Sequence, residues 1–584
     1  MVITQQLTPK TFASLPRRGV ILPSPDGIYG LYSVSTHGIN GKRTEKEWRR
    51  LCLKSGLSRP LKCHEQTDDV AWLPPLGDYT RRLIWLRADP DRGVTQLLIV
   101  NDVIFPEHVY IASEFKGQVR HLKVRALEDG SVALAVVGQV GEDGGLYNAE
   151  AARKASAPKT YHDGMNVPEL KHCAKPQRYG VFYTRLIWRD WSESEPDECS
   201  GWRAAGPLRN FCAKDISLEA PAGEDALGNF DISPKGIVFV GCRDLGDPAH
   251  TRAPDVYYVP IESWDAPVRY KPTKIIVQND HDHYDNDNIG IVSNPRFSPD
   301  GTMIAYLKTS PPETADTRLM MAHVGSCVGF DVWKLVIGLP SSWELVPSSF
   351  EFAPTQHKRD SVFIIAEDRG RRSLYELELR HHARPRPLVK NVSVHAFYPI
   401  PSDAKDGNTR LLVSASSMVD YGLYMIVDTA EKPEQPRILS SATKNGVKLE
   451  LSHSKQVSNI WLEGSSETTH AWVVKPGKFD DTKKWPVVLM LPEDAVRDEW
   501  NWKWNPALWA EQGSVIVCPS FTTPGERLHQ DIINCMDYLP KLMPCIDLDR
   551  TVVAGGNVVT WMMLEHPLLA KKFRAIICDG RLLG

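Results

Sequence analysis

Apolar runs that end in tight, glycine-bearing turns recur along about three-quarters of this chain, and that recurrence limits the available folds more than any other feature. The turns are Ser24-Pro25-Asp26-Gly27, Glu128-Asp129-Gly130, Ser233-Pro234-Lys235-Gly236 and Ser298-Pro299-Asp300-Gly301, with weaker equivalents at Trp72, Ala353 and Ser402. Each of the four places Gly where the backbone must turn and leads into a strand such as Met303-Ile304-Ala305-Tyr306-Leu307. One anchor fits any β-hairpin, but a series of them near fifty residues apart fits a β-propeller with four short strands per blade. The later anchors stand 65, 55 and 49 residues apart. The interval of 105 residues between the second and third turns can hold two blades, with VFYTRLIWRDW (181 to 191) supplying strands for one of them. The expectation is an all-β seven-bladed propeller over residues 1–440. At 584 residues the chain suits two or three domains, and residues 441–584 form the second.

The most specific run in that second domain is VVAGGNVVTWM, from Val552 to Met562. It has the frame of a serine-hydrolase nucleophile turn, in which a buried strand enters a helix through a sharp bend that lifts one side chain above the sheet. Arg550 to Ala554 reads as the strand, after an acidic turn at Asp547-Leu548-Asp549, and Gly555-Gly556 as the bend. Trp561, Met562, Leu564 and Leu568 then recur at helical spacing. A serine at position 557 would complete the pattern, but Asn557 stands there. A carboxamide cannot pass a proton to a base and attack a carbonyl. Asn does tolerate the left-handed backbone of such an elbow, so the shape is compatible with loss of the chemistry. Val559 replaces the second expected glycine and would crowd the strand–helix crossing.

Several runs in order, AWVVKPGKF (471 to 479), KKWPVVLMLP (483 to 492), WNPALWAEQGSVIVCPSF (504 to 521), HQDIINCMDYL (529 to 539) and IDLDRTVVAGGN (546 to 557), resemble the catalytic domain of the prolyl oligopeptidase family of serine peptidases. The likeness is nearest to its dipeptidyl-peptidase V and acylaminoacyl-peptidase branch. It implies a seven-bladed propeller followed by an α/β-hydrolase domain, C-terminally truncated in this sequence. It also implies that the propeller covers the active site, so the expected ligand is a peptide or small acylated molecule reached through the propeller.

The same comparison exposes departures. The family's His-Gly-Gly-Pro turn, which helps organise the oxyanion hole, is replaced by Pro492-Glu493-Asp494-Ala495 after the strand Pro486 to Leu491. Removing one oxyanion donor alone costs on the order of 10² to 10³ in rate. The Ser-Thr-Gly-rich loop expected after Phe521 is reduced to Thr522-Thr523-Pro524-Gly525. Hydrolases of this type carry acid and base downstream of the nucleophile, and only 27 residues follow Asn557. His566 and Asp579 in that tail read as structural. No catalytic residue is therefore expected to be intact, with Asn557 occupying the nucleophile's place. Two readings stand: an inactive homologue kept for binding or regulation, and a dipeptidyl or acyl-peptide hydrolase whose catalytic end this sequence misrepresents. Two departures internal to the chain, at Asn557 and at Pro492 to Ala495, favour the first.

Sixty-nine basic against 72 acidic residues, with a pI near 6.7, give no electrostatic case for nucleic acid or a membrane surface as partner. The apolar-leaning stretch Thr551 to Leu564 is too short to span a bilayer. The amino terminus lacks an apolar block of signal-peptide length, and eleven cysteines without a CxxC pair suit free thiols, so a cytoplasmic location is expected. The segment Asp280-His281-Asp282-His283-Tyr284-Asp285-Asn286-Asp287-Asn288 is rich in ligand atoms but matches neither zinc nor EF-hand spacing, and reads as a solvated loop. No metal and no cofactor are expected. Cys518, Cys535 and Cys545 lack an indicated base, and Trp500, Trp502, Trp504 and Trp509 read as packing around the first helix of the second domain. The sequence leaves the oligomeric state open.

Overall fold

The computed structural model describes residues 4–38, 44–61, 67–75, 81–104, 108–151, 178–190, 200–211, 216–218, 227–243, 254–275, 290–309, 317–324, 345–380, 383–401, 407–430, 435–463, 468–492, 495–520, 528–556 and 565–578. Antiparallel strands from Arg17 to Ser441 form seven blades. The blade that contains the Ser298 turn shows why such strands read as apolar. In Met303–Thr309 the two-residue period sends Ile304 and Tyr306 toward the preceding blade, and Ala305 and Leu307 toward the following one. Both faces are buried because each blade is sandwiched between two others.

Every neighbouring pair of blades owns a separate apolar cluster, so the seven junctions carry seven cores. The seventh joins the last blade to the first: Leu412 and Tyr424 pack against Ile21, Tyr32 and Leu51. The described strands of the last blade all come from residues 393–441, so side chains close the ring instead of a shared strand. Hydrogen bonds reinforce the seam, from the Tyr424 hydroxyl to the Gly19 carbonyl (2.7 Å) and from the Ile21 N–H to Ser414 Oγ (3.0 Å). Gly27 lies on the same seam. At φ 66° its backbone is left-handed, and a Cβ there would collide with the Pro401 carbonyl oxygen.

The anchoring turns do join the first and second strands of their blades, as at Ser298, whose hydroxyl donates to Asp300 at 2.5 Å, and at Gly301, with φ 69°. The Ser402 anchor lies outside the described residues. One assignment is corrected. The segment 181–191 supplies no extra blade, because Tyr179–Arg189 pairs along its length with Val132–Gln139 as the third strand of the third blade. A long connection between those two strands, not an additional blade, accounts for the 105-residue interval. The first strands of most blades also carry a β-bulge, between Thr67 and Asp69, Arg120 and Lys123, Ser293 and Arg296, Pro347 and Ser349, and Val394 and Ala396.

The second domain is a six-stranded sheet in the spatial order Val457–Glu463, Thr468–Val474, Val515–Pro519, Trp485–Leu491, Ile546–Gly555 and Ala575–Cys578. The first two strands are antiparallel and the last four parallel. The helix Leu528–Leu542 covers one face through Ile532, Cys535, Met536 and Leu539. The other face carries Trp472, Met490, Trp500, Trp504 and Ala554, and Leu7, Met418 and Val419 from the propeller end of the chain join them. An amino-terminal helix, Pro9–Ser14, capped by the Thr8 hydroxyl, also lies on this face, with Phe12 stacked on Trp500 at 5.7 Å. The tryptophan cluster therefore does more than hold its own helix: it joins the first residues of the chain, the last blade through Tyr421, and the hydrolase sheet.

Inside the sixth blade, the Glu376 carboxylate is buried and bonded to His357 Nε2 (2.9 Å), Ser361 Oγ (3.3 Å) and the Arg386 guanidinium. Burial alone would raise its pKa; the bonds from His357 and Arg386 overcome that and hold it at about 2. The folded-state value lies below the ordinary 4.5, so this carboxylate stabilises the fold above pH 4.5 and loses that contribution as pH falls toward about 2. Glu376→Ala, which strands Arg386 and His357, is expected to destabilise the protein by about 3 to 5 kcal/mol in urea denaturation at pH 7. An effect below about 1 kcal/mol, the level of a surface pair, would refute this account.

Candidate active-site region

Register places the strand ends that lead into the two altered family motifs side by side. The strand Trp485–Leu491 runs parallel to Ile546–Gly555, with Leu491 opposite Gly555, and the Gly556 N–H donates to the Leu491 carbonyl at 3.3 Å. Val487 to Leu489 pair on the other edge with Val515 to Val517. The carboxyl ends of three parallel strands thus converge, the position where open α/β sheets present ligand-handling groups. Pro492 leaves this edge from one strand and Gly556 from the next. Asn557, Glu493, Asp494, the 522–525 turn, residues 561–564, Asp579 and the 280–288 segment lie outside the described residues.

Beyond Ala495 the chain runs onto the sixth blade. The hairpin of that blade turns at Arg369 and Gly370, both at positive φ (50° and 70°), the geometry that matches strand twist. Gly370 is needed twice, since a Cβ there would sit 2.5 Å from Trp472 Nε1. Its carbonyl accepts from Trp472 Nε1 (3.2 Å) and from the Asp498 N–H (2.9 Å). The Asp498 carboxylate is fully buried and accepts from Arg371 Nε (2.9 Å), His453 Nε2 (2.9 Å) and the Met418 N–H (3.1 Å). Burial opposes its ionisation, but His453 and Arg371 prevail and hold its pKa below the ordinary carboxylate value. Arg497 pairs with Glu367 at 2.7 Å on one side, and Glu499 approaches Arg372 and His395 at 3.9 Å on the other. Three consecutive charged residues therefore clasp the propeller directly after the altered turn.

Two hydroxyl–imidazole–carboxylate arrays exist that sequence reading did not find, the first buried and the second part-exposed. Thr409, His357 and Glu376 form one, through two 2.9 Å contacts. Ser416, His395 and Glu499 form the other, with 2.7 Å from His395 Nε2 to Ser416 Oγ. Neither is placed for nucleophilic catalysis. Thr409 and Ser416 are buried inside the propeller or its interface, and the 3.9 Å from His395 to Glu499 exceeds a hydrogen bond. Their components are far apart in sequence, so only the fold reveals them.

The remaining sites behave as packing. Cys518 and Cys535 are sealed in the two sheet cores, and burial pushes both thiols up, Cys535 to about 12, away from the reactive thiolate. His566 stacks on His529 with centroids 4.2 Å apart. His470, at the sheet end beside Gly370, is 7% exposed and finds no partner for either ring nitrogen among the described residues. Burial, with Arg371 and Arg369 nearby, pushes its pKa down to about 4.

The fold and the strand-end geometry define a propeller-bearing α/β-hydrolase. No family model matches the chain. Over 99% of its length it is 26% identical to dipeptidyl-peptidase 5 of Trichophyton schoenleinii and of Arthroderma benhamiae, covering 78% of each. Over 98% it is 25% identical to dipeptidyl-peptidase 5 of Aspergillus fumigatus, covering 79%. Among solved structures, an acylaminoacyl peptidase in complex with Z-Gly-Gly-Phe-chloromethyl ketone superposes over 98% of this chain and 78% of its own, with TM-score 0.62 at 13% identity. The Pyrococcus horikoshii acylaminoacyl peptidase does so over the same shares with TM-score 0.61 at 13% identity. The chain is thus similar along nearly its whole length to dipeptidyl-peptidase 5 and shares its fold with acylaminoacyl peptidase, which supports the likeness to the prolyl oligopeptidase family. No described helix is long and apolar enough to cross a membrane.

Two expectations follow. Asp498→Ala leaves the part-buried Arg371 and His453 without their counter-charge, and should lower unfolding free energy by about 2 to 4 kcal/mol while exposing the 495–500 segment to limited proteolysis; an unchanged cleavage pattern would count against the clasp. His470 has a folded pKa of about 4 against 6.5 unfolded, so the unfolded chain binds more protons between those values and stability falls as pH drops through that window. His470→Phe should flatten that part of the stability–pH curve, by up to about 3 kcal/mol between its ends; an identical slope in the variant contradicts the assignment.

Proposed function

We propose that this protein is a dipeptidyl-peptidase 5-like homologue that does not hydrolyse peptides and is retained as a binding or regulatory protein. The observation that carries the reading is Asn557 at the nucleophile position, two residues past the end of the strand Ile546–Gly555, in a run that otherwise keeps the family's frame. An amide side chain offers no ionisable attacking oxygen. The replaced turn at Pro492 to Ala495 supports the reading independently, because it brings two acidic residues to the segment where the relatives stabilise negative charge. The ligand consistent with the family is a peptide or small acylated molecule, reached through the propeller.

The test is hydrolysis of dipeptidyl and acyl-aminoacyl chromogenic substrates together with labelling by an organophosphonate probe. Loss of the nucleophile costs on the order of 10⁶ in turnover, so the native protein should release chromophore no faster than buffer and take up no label. Turnover above background, or a covalent phosphonate adduct on the native chain, would end this reading. Activity confined to Asn557→Ser would locate the loss at that one residue.

A further inference from the structure

The first strands of the blades hydrogen-bond to one another across blade boundaries, which only strands at the hub can do. Arg125 Nε donates to the Ile232 carbonyl (3.2 Å), the Phe297 N–H to Asp231 Oδ2 (3.0 Å), and Asn294 Nδ2 to the Ser348 carbonyl (3.1 Å). These strands therefore line the central channel of the propeller. In two of them the bulge falls immediately before a basic residue, Lys123 and Arg296. A bulge re-aims the side chain that follows it.

The result is a charged collar of five residues from four consecutive blades. Asp231 Oδ1 lies 3.9 Å from Lys123 Nζ and 3.5 Å from Arg125, and Arg296 Nε lies 3.5 Å from Glu351. Three cations thus face two carboxylates. One oxygen of Asp231 is occupied by the Phe297 N–H, and Asp231 itself is 3% exposed. Lys123, Arg125, Arg296 and Glu351 keep between 24% and 52% of their side-chain surface open, so the collar is open to a small ligand although it sits inside the ring. The two guanidiniums have five N–H groups each, more than these contacts use. We propose that this collar is an anion-binding site in the propeller channel, which takes a carboxylate or phosphate group through Lys123, Arg125 and Arg296.

The surplus positive charge is itself under strain. Burial, then Arg296, pushes the Lys123 ammonium down to about 7, and burial pushes Glu351 up. A bound anion supplies the counter-charge that the protein does not, and charge-assisted bonds are stronger than neutral ones. The inference deepens the reading of the propeller as the retained binding part by naming the chemistry of the ligand's captured end. It does not involve Asn557, so either can fail alone.

The test is calorimetric titration of the full chain with inorganic phosphate, with a short peptide acid, and with the same peptide as its C-terminal amide. Saturable binding of phosphate or of the acid is expected, and whichever binds tighter identifies the source of the anion. The amide should bind at least about tenfold more weakly than the acid, and Lys123→Met and Arg296→Met should each weaken anion binding by about 10- to 100-fold. Failure of both anions to saturate the native protein, or an affinity unchanged in both variants, overturns the proposal. Should the neutral variants not fold, Lys123→Arg and Arg296→Lys carry the test: a dissociation constant that moves less than twofold in both overturns it, because the bonding geometry differs while the charge is kept.

Discussion

The buried carboxylate of Asp498 fixes the relation between the two domains. It has no water to solvate it, so it is stable as an anion only while Arg371, His453 and the Met418 N–H all point at it. Those three groups come from the sixth blade, from the start of the hydrolase domain and from the last blade. One charge therefore requires three separate parts of the chain to be in register, and the Gly370 hairpin and Trp472 complete the contact with neutral bonds. Positions near the strand ends inherit their placement from this clasp, because the segment from Ala495 to Trp500 leads straight into it.

The propeller reaches stability differently. Its seven apolar junctions are equivalent in kind, and the closing one, between Tyr424 and Ile21, has the same construction as the rest. A ring closed by packing needs complementary faces at the first and last blade, which explains why Gly27 is forced by the Pro401 carbonyl on the neighbouring blade. At the hub, apolar filling gives way to charge. Bulged first strands there turn charged side chains toward the channel, and ion pairs between blades replace the apolar contacts found farther out.

Much of this was legible in the chain because local physics specified it. Ser298-Pro299-Asp300-Gly301 announces its turn through an Asp that bonds its own loop and a glycine at positive φ, and the second half of the strand Ile546–Gly555 announces its burial through the apolar run Val552-Val553-Ala554. The interval between Gly130 and Ser233 misled because spacing measures chain length and not pairing: a long connection looks the same as an extra blade until Tyr179–Arg189 is seen along Val132–Gln139. The collar of Lys123, Arg125, Asp231, Arg296 and Glu351 was invisible for another reason. Each residue is an ordinary charge in an alternating strand, and only ring closure brings positions more than 100 residues apart within ion-pair reach. Asn557 stands on its local sequence frame alone, since it lies outside the described residues.

Adjacency changes how the altered motifs are weighed. In sequence, Pro492 to Ala495 and Asn557 are two distant departures, which suggests two independent losses. The pairing of Leu491 with Gly555 brings the strand ends that lead into them to one edge of the sheet. A turn that stabilises an oxyanion has no use without an oxygen that attacks, and the reverse also holds. Under the proposed reading, the constraint on both lapses together once either is gone, while the Asp498 clasp a few residues away serves stability and is kept. Intact interdomain bonding beside an altered sequence at the strand ends fits the proposed reading of a homologue retained for its shape and its channel.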